Sequence, residues 1–162
     1  MEKSLLRTDK EIAEIYERNF RSVWNVSFTL LRNRAETEDC VQDVFLQLIR
    51  KAPAFENPEH ERGWLILTAK NLAKNRLAHW WRRREDLDEA ADAGAPDPEP
   101  DGTLAALLTL PEKDRMVLYL YYYEGYAVKE IAKLLSWQEP TVRSRLSRAR
   151  GKLKSLLGGN EA

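Results

Sequence analysis

The chain has 162 residues, 43% of them hydrophobic, with 26 Lys and Arg against 26 Asp and Glu and a single cysteine. That length holds one or two small domains with modest cores and excludes a large multidomain enzyme, while a lone Cys40 excludes an internal disulfide framework and a thiolate zinc cluster. No apolar run approaches the roughly 18 to 20 residues that cross a bilayer, and MEKSLLRTDKEIAEIY holds no signal-peptide core, so a cytoplasmic protein is expected.

The zero net charge conceals a segregation along the chain. Residues 1–85 carry 16 basic and 13 acidic side chains, residues 86–102 (DLDEAADAGAPDPEPDG) none and seven, and residues 103–162 ten and six. Two basic modules are therefore offset by one acidic stretch. Three of the seven prolines fall in that stretch, and Leu87 is its one large apolar side chain, so it cannot bury enough surface to offset its ordering entropy. The expected organisation is an all-α chain of two small helical domains, 1–85 and 103–162, joined by a flexible acidic linker over 86–102. Seventeen residues reach about 56 Å when fully extended, at roughly 3.3 Å each.

A first helix is predicted from a capping box of Thr8 and Glu11, with Ile12, Tyr16, Phe20, Val23 and Leu30 at helical spacing and Ser27 as a break. A second follows Asn33, paired with Glu36 three positions on, and carries an apolar stripe of Val41, Val44, Phe45, Leu48 and Ile49 that ends before Pro53. Its other face holds Glu38, Asp39, Gln42, Asp43 and Leu46. Such a face would repel a polyanion and so meets solvent or another protein; Leu46 among the carboxylates favours a protein.

After the loop KAPAFENPE, Asn57-Pro58 gives an N-cap and a first-turn proline for a third helix running toward Trp81. Glu59-His60-Glu61 lacks a second histidine at ligand spacing, since His79 is the other one, and is read as acidic charge at a helix N-terminus rather than a metal site. From Arg62 to Arg84 there are seven basic residues and no acidic one, interleaved with Trp64, Trp80, Trp81, Asn71 and Asn75. Two readings fit: a surface for single-stranded nucleic acid, where phosphates find counter-charge and bases stack on aromatic faces, or a solvated helix whose tryptophans are core.

The C-terminal module opens with Leu104, Leu107, Leu108 and Leu110 before Pro111. A helix with Met116, Val117, Leu118 and Leu120 follows, closed by Gly125 as a C-cap. Its tyrosines at 119, 121, 122 and 123 are read as packing residues with hydroxyls in water, not as a cofactor box. VKEIAKLL, the turn SWQE and PTVRSRLSRARGKLK then form a helix-turn-helix: Ile131, Leu134 and Leu135 face Val142, Leu146, Ala149 and Leu153. This leaves Thr141, Arg143, Ser144, Arg145, Ser147, Arg148 and Arg150 on the remaining face. A second helix of this kind enters the major groove, where Arg reaches guanine edges or phosphates.

The segments AETEDCVQDVFLQLIRKAPAF, ERGWLILTAKNLAKNRL, LPEKDRMVLYLYYYEGYAVKEIAKLL and PTVRSRLSRARGKL, in that order, resemble the bacterial RNA polymerase sigma factors of the extracytoplasmic-function group, over nearly the whole chain. The resemblance implies a subunit of RNA polymerase that directs promoter-specific initiation, neither an enzyme by itself nor a protein needing a cofactor or metal. It assigns Glu38, Asp39, Gln42, Asp43 and Leu46 to the clamp coiled coil of the largest polymerase subunit. It assigns the loop from Ala52 to His60, including Asn57, with Lys70, Asn71, Lys74 and Arg76, to opening the promoter and holding non-template bases of the minus-ten element. Thr141, Arg143, Ser144, Arg145, Ser147 and Arg148 would read the minus-thirty-five element. The acidic linker would thread the polymerase channel that later holds RNA. An anti-sigma factor is an implied partner. Asn75 stands where the family commonly has a carboxylate, and Pro140 where it has a glycine. The alternative on the same residues is a polymerase-independent helix-turn-helix repressor or activator, dimerised through its N-terminal bundle.

Overall fold

The computed structural model describes residues 6–87 and 107–158, with the side chains of 80–87 and 158 outside the description. Most of the expected acidic linker, and the side chains of Trp80 and Trp81, therefore lie outside the described residues. The chain divides into two compact units, Met1–Pro96 and Asp97–Ala162, and the described residues in both are helices and their connections.

In the N-terminal unit three helices, α1 (Asp9–Leu31), α2 (Arg34–Lys51) and α3 (Pro58–Leu87), pack pairwise on one another. Local chemistry starts each. The Thr8 hydroxyl accepts from the Glu11 amide at 3.1 Å, and Glu11 accepts from the Thr8 amide at 2.8 Å. Asn33 accepts from the Glu36 amide at 2.9 Å, and Asn57 from the His60 amide at 2.7 Å, each satisfying an otherwise unpaired first-turn donor. α1 and α2 end on left-handed residues, Arg32 (φ 58°) and Ala52 (φ 43°). The expected break at Ser27 is absent. α1 runs through it to Leu31, because the small Ser27 side chain lies fully buried on the stripe of Val23, Val26 and Leu30, where packing outweighs its weak helix propensity. Val41, Val44, Phe45 and Leu48 are buried as expected, but Ile49 at the end of their stripe is exposed, as is Tyr16 on α1. α3 continues through Leu87, two residues past the expected edge of the module.

The C-terminal unit is smaller: α4 (Glu112–Leu118) runs into a π-helical turn over Tyr119–Tyr123, followed by α5 (Val128–Leu135) and α6 (Glu139–Gly158). The wide turn is closed by the Glu124 amide on the Tyr119 carbonyl at 3.2 Å, and Gly125 then takes a left-handed φ of 75°, the C-cap conformation that glycine adopts without strain. The tyrosines divide. Tyr122 and Tyr123 are exposed, whereas Tyr119 is buried and donates its hydroxyl to Glu124, so its hydroxyl is not in water as expected. Ser136 (φ 61°) makes the turn between α5 and α6, and Ile131 and Leu135 meet Val142, Leu146 and Ala149 in a shared core. Pro140 sits in the first turn of α6, where a missing amide hydrogen breaks no helical bond.

Candidate nucleic-acid interface

On α6 the core residues Val142, Leu146 and Ala149 leave an outward face on which Thr141, Arg143, Ser144, Ser147 and Arg148 are all exposed. Arg143 stands beside Glu139 one turn earlier, at 3.5 Å, an ion pair in water that contributes little and yields readily to a phosphate. Arg145 is placed differently from its neighbours. Its side chain is 28% exposed, and Nη1 meets Oδ1 of Asp114 at 3.1 Å; Lys152 Nζ holds the other oxygen at 3.0 Å, and Asp114 is 1% exposed. Position 145 adjoins the core position 146, so its side chain flanks the apolar stripe and is drawn to the carboxylate that α4 brings there. Thus the structure groups five of the six expected reading residues on open surface and gives the sixth to the joint between α4 and α6.

The acidic face of α2 is also present. Glu38, Asp39, Gln42 and Leu46 are exposed, and Asp43 is half-buried. Asp43 does not face outward freely: its Oδ2 accepts from Arg76 Nη2 at 2.7 Å, while Glu36 takes Arg76 Nη1 at 3.0 Å. Arg76 is half-buried by this bridge from α3 to α2. Burial by itself would lower its pKa, but the hydrogen bonds to Asp43 and Glu36 hold it above the ordinary value. Of the other α3 candidates, Asn71 and Lys74 are exposed and Lys70 is half-buried; Asn57 is exposed, with its side-chain oxygen engaged as the N-cap. Asn75 is exposed next to Lys74.

The loop before α3 is held by aromatic contacts. Phe55 lies under the Arg7 guanidinium at 5.1 Å and edge-on to His60 and Trp64, at 5.4 and 5.8 Å between ring centres. His60 Nδ1 accepts from the Glu56 amide at 3.0 Å. These contacts fix the backbone entering α3 and leave Ala54, Glu56 and Asn57 at the surface.

Glu61 stands in the first turn of α3, as read, and has a second role. Its side chain is 9% exposed, accepts from Arg18 at 3.0 and 3.2 Å and from Asn19 at 3.0 Å, and ties α3 to α1. Burial acts to raise its pKa, and the hydrogen bonds from Arg18 and Asn19 overcome this and hold it below the usual carboxylate range. The signal was present: 61, 65, 69 and 73 recur every four residues, and Leu65, Ala69 and Ala73 are fully buried. Cys40 is buried, and burial pushes its thiol up, partly opposed by the Ser27 hydroxyl, so no reactive thiolate is formed.

The family description "Sigma-70 region 2" matches residues 15–90 and "Sigma-70, region 4" residues 103–153, one in each unit. The RNA polymerase sigma factor CarQ of Myxococcus xanthus is 30% identical over 90% of this chain and 88% of its own length. The ECF RNA polymerase sigma factor SigM of Mycobacterium tuberculosis is 29% identical over 90% and 76%. The chain belongs to the extracytoplasmic-function sigma factors. It is accordingly a subunit that directs RNA polymerase to promoters, and this replaces the reading as a polymerase-independent repressor or activator. The sigma factor also matches the probable RNA polymerase sigma factor RfaY of Xanthomonas campestris pv. campestris at 32% identity, over 84% of this chain but 38% of RfaY. Its fold is shared with the sigma factor RpoE of Bartonella quintana, solved in complex with the anti-sigma factor NepR, at a TM-score of 0.78 and 22% identity over 93% and 99% of the two chains.

Proposed function

We propose that the sigma factor reads promoter DNA with two chemically different surfaces, one on each unit, while a third surface holds polymerase. α6 reads the upstream element as duplex through Thr141, Arg143, Ser144, Ser147 and Arg148. The observation that carries this is the open row of these five side chains on the second helix of a packed helix-turn-helix. Arg143 and Arg148 present the planar donor forks that suit guanine edges, and the serines make shorter contacts. Arg145 serves this surface indirectly, by fixing α6 on α4 through Asp114.

The loop with Asn57, and α3 with Lys70, Asn71, Lys74 and Arg76, hold the melted strand of the downstream element. Extruding a base costs a few kcal/mol, so capture by these modest polar contacts works only when the duplex is anchored elsewhere. Exposed Glu38, Asp39, Gln42 and Leu46, with Asp43 beside them, dock on polymerase. The domain limits that go with this reading are 1–87, extended by the last residues of α3, and 103–162, with the rest of the acidic segment 86–102 between them. Joining both units to polymerase raises the effective concentration of each for its own DNA site, so weak contacts become selective together. An anti-sigma factor is assigned as a partner by likeness to RpoE, which was solved bound to one.

Run-off transcription with bacterial core polymerase, with and without the sigma factor, tests the whole. The expected result is initiation at an asymmetric promoter that depends on both components. Equal affinity for promoter duplex with and without core polymerase would count against it.

A further inference from the structure

We propose that Arg150, positioned by the phenol of Tyr122, grips a backbone phosphate at the far edge of the upstream DNA surface. The proposal rests on α6 reading duplex DNA, and adds a residue outside the reading set. Arg150 Nη1 donates to the Tyr122 hydroxyl at 3.0 Å, and the Tyr122 ring stands edge-on to Tyr121, 4.9 Å between centres at 80°. Arg143, Ser147 and Arg150, at i, i+4 and i+7, share one flank of α6 and line a concavity of about 650 Å³ whose opposite wall includes Tyr121 and Val128. Among the described residues that line it there is no carboxylate, and the one acid beside it, Glu139, meets Arg143 in an exposed pair at 3.5 Å that yields to a phosphate. A concave surface carrying two guanidiniums and hydroxyls suits a phosphodiester strand.

Arg150 lies two turns beyond Arg143, about 10 Å along the axis at 1.5 Å per residue. The first turns of a recognition helix meet base edges, so a side chain this far along meets the sugar–phosphate wall of the groove. The nature of its partner matters as well. Arg145 is held by a buried carboxylate, which cancels its charge at the surface; Arg150 is held by a neutral phenol. Its orientation is thereby set while its full positive charge and remaining donors stay available.

The test measures binding of holoenzyme, assembled with core polymerase, to a fluorescent promoter duplex across a salt series, for wild type, Arg150→Ala, Arg150→Lys and Tyr122→Phe. Arg150→Ala should flatten the slope of log affinity against log salt by about 0.9, the release of one phosphate's counterions. It should weaken binding by the same factor on every upstream sequence. Arg150→Lys keeps the charge and should retain the wild-type slope. Tyr122→Phe preserves ring packing, so a roughly twofold loss with an unchanged slope would report the lost positioning of Arg150 and not a damaged fold. An unchanged slope in Arg150→Ala, or a loss confined to particular upstream sequences, overturns the proposal. Wild-type holoenzyme that fails to prefer promoter over random duplex instead brings down the parent reading.

Discussion

Each unit pegs its helices together with a buried carboxylate, but the two pegs draw on different stock. In the N-terminal unit Glu61 of α3 is held by Arg18 and Asn19 of α1, neither of which belongs to the nucleic-acid surface. In the C-terminal unit Asp114 of α4 is held by Arg145 and Lys152 of α6, the recognition helix itself. In the first unit the α1–α3 peg draws on residues outside the proposed binding sets, whereas the α2–α3 bridge of Arg76 to Asp43 draws on two residues within them. The second has one long helix, which on the proposed reading both completes the core and faces DNA, so its arginines are divided between the two tasks.

The sharpest way to break this contrast is to set Arg145→Ala against Arg148→Ala. Removing Arg145 leaves a buried carboxylate with one ammonium partner, and should lower stability by about 2 to 3 kcal/mol. Calorimetry of the full chain reads this directly, and an unshifted melting temperature would return Arg145 to the DNA face. Arg148→Ala should leave stability within about 0.5 kcal/mol. Its effect, about 1 to 3 kcal/mol, belongs to discrimination among upstream sequences measured with holoenzyme.

The N-terminal peg is expected to be weaker in effect because Arg18 is 51% exposed. Glu61→Gln should cost about 1 to 2 kcal/mol at neutral pH. Because the folded pKa of Glu61 is lowered, its contribution is complete above the ordinary glutamate value of about 4.3 and is lost as pH falls through the folded value. Denaturant midpoints of wild type and Glu61→Gln should therefore differ at pH 7 and draw together as pH falls through the folded value; a constant gap would show that the ionised form is not what Arg18 and Asn19 stabilise.

Polymerase docking can be separated from the α2–α3 bridge by choosing the right carboxylate. Asp39→Lys reverses an exposed charge and should weaken holoenzyme assembly about tenfold, roughly 1.4 kcal/mol, with the melting temperature unchanged. Asp43→Asn acts on a half-buried pair, and its stability cost should stay under about 1 kcal/mol. If Asp39→Lys assembles normally, the acidic face of α2 is a solvated surface and not a docking site.

Much of this architecture was legible because its causes are local. Thr8 with Glu11, Asn33 with Glu36, and Asn57 with Pro58 start helices through contacts within four residues, and each forms as read. The turn between α5 and α6 and the stripe of Val142, Leu146 and Ala149 were equally plain from spacing. Ser27 misled because helix-breaking tendency is a local property that core burial overrode. The partners of Glu61 and Arg145 were not legible for a further reason. A charged side chain beside an apolar stripe faces water or the interior according to whether an opposite charge arrives from elsewhere in the chain, here from 43 positions away for Glu61 and 31 for Arg145.

Sequence by itself determined the two helical units, their caps, the helix-turn-helix and the family, since these rest on periodicity, short-range hydrogen bonds and motif order. Tertiary structure alone decided what stands beside each cation. Arg76 and Arg145 are drawn to carboxylates on neighbouring helices, while Arg150 meets a neutral phenol, because those partners lie far along the chain and only folding brings them together.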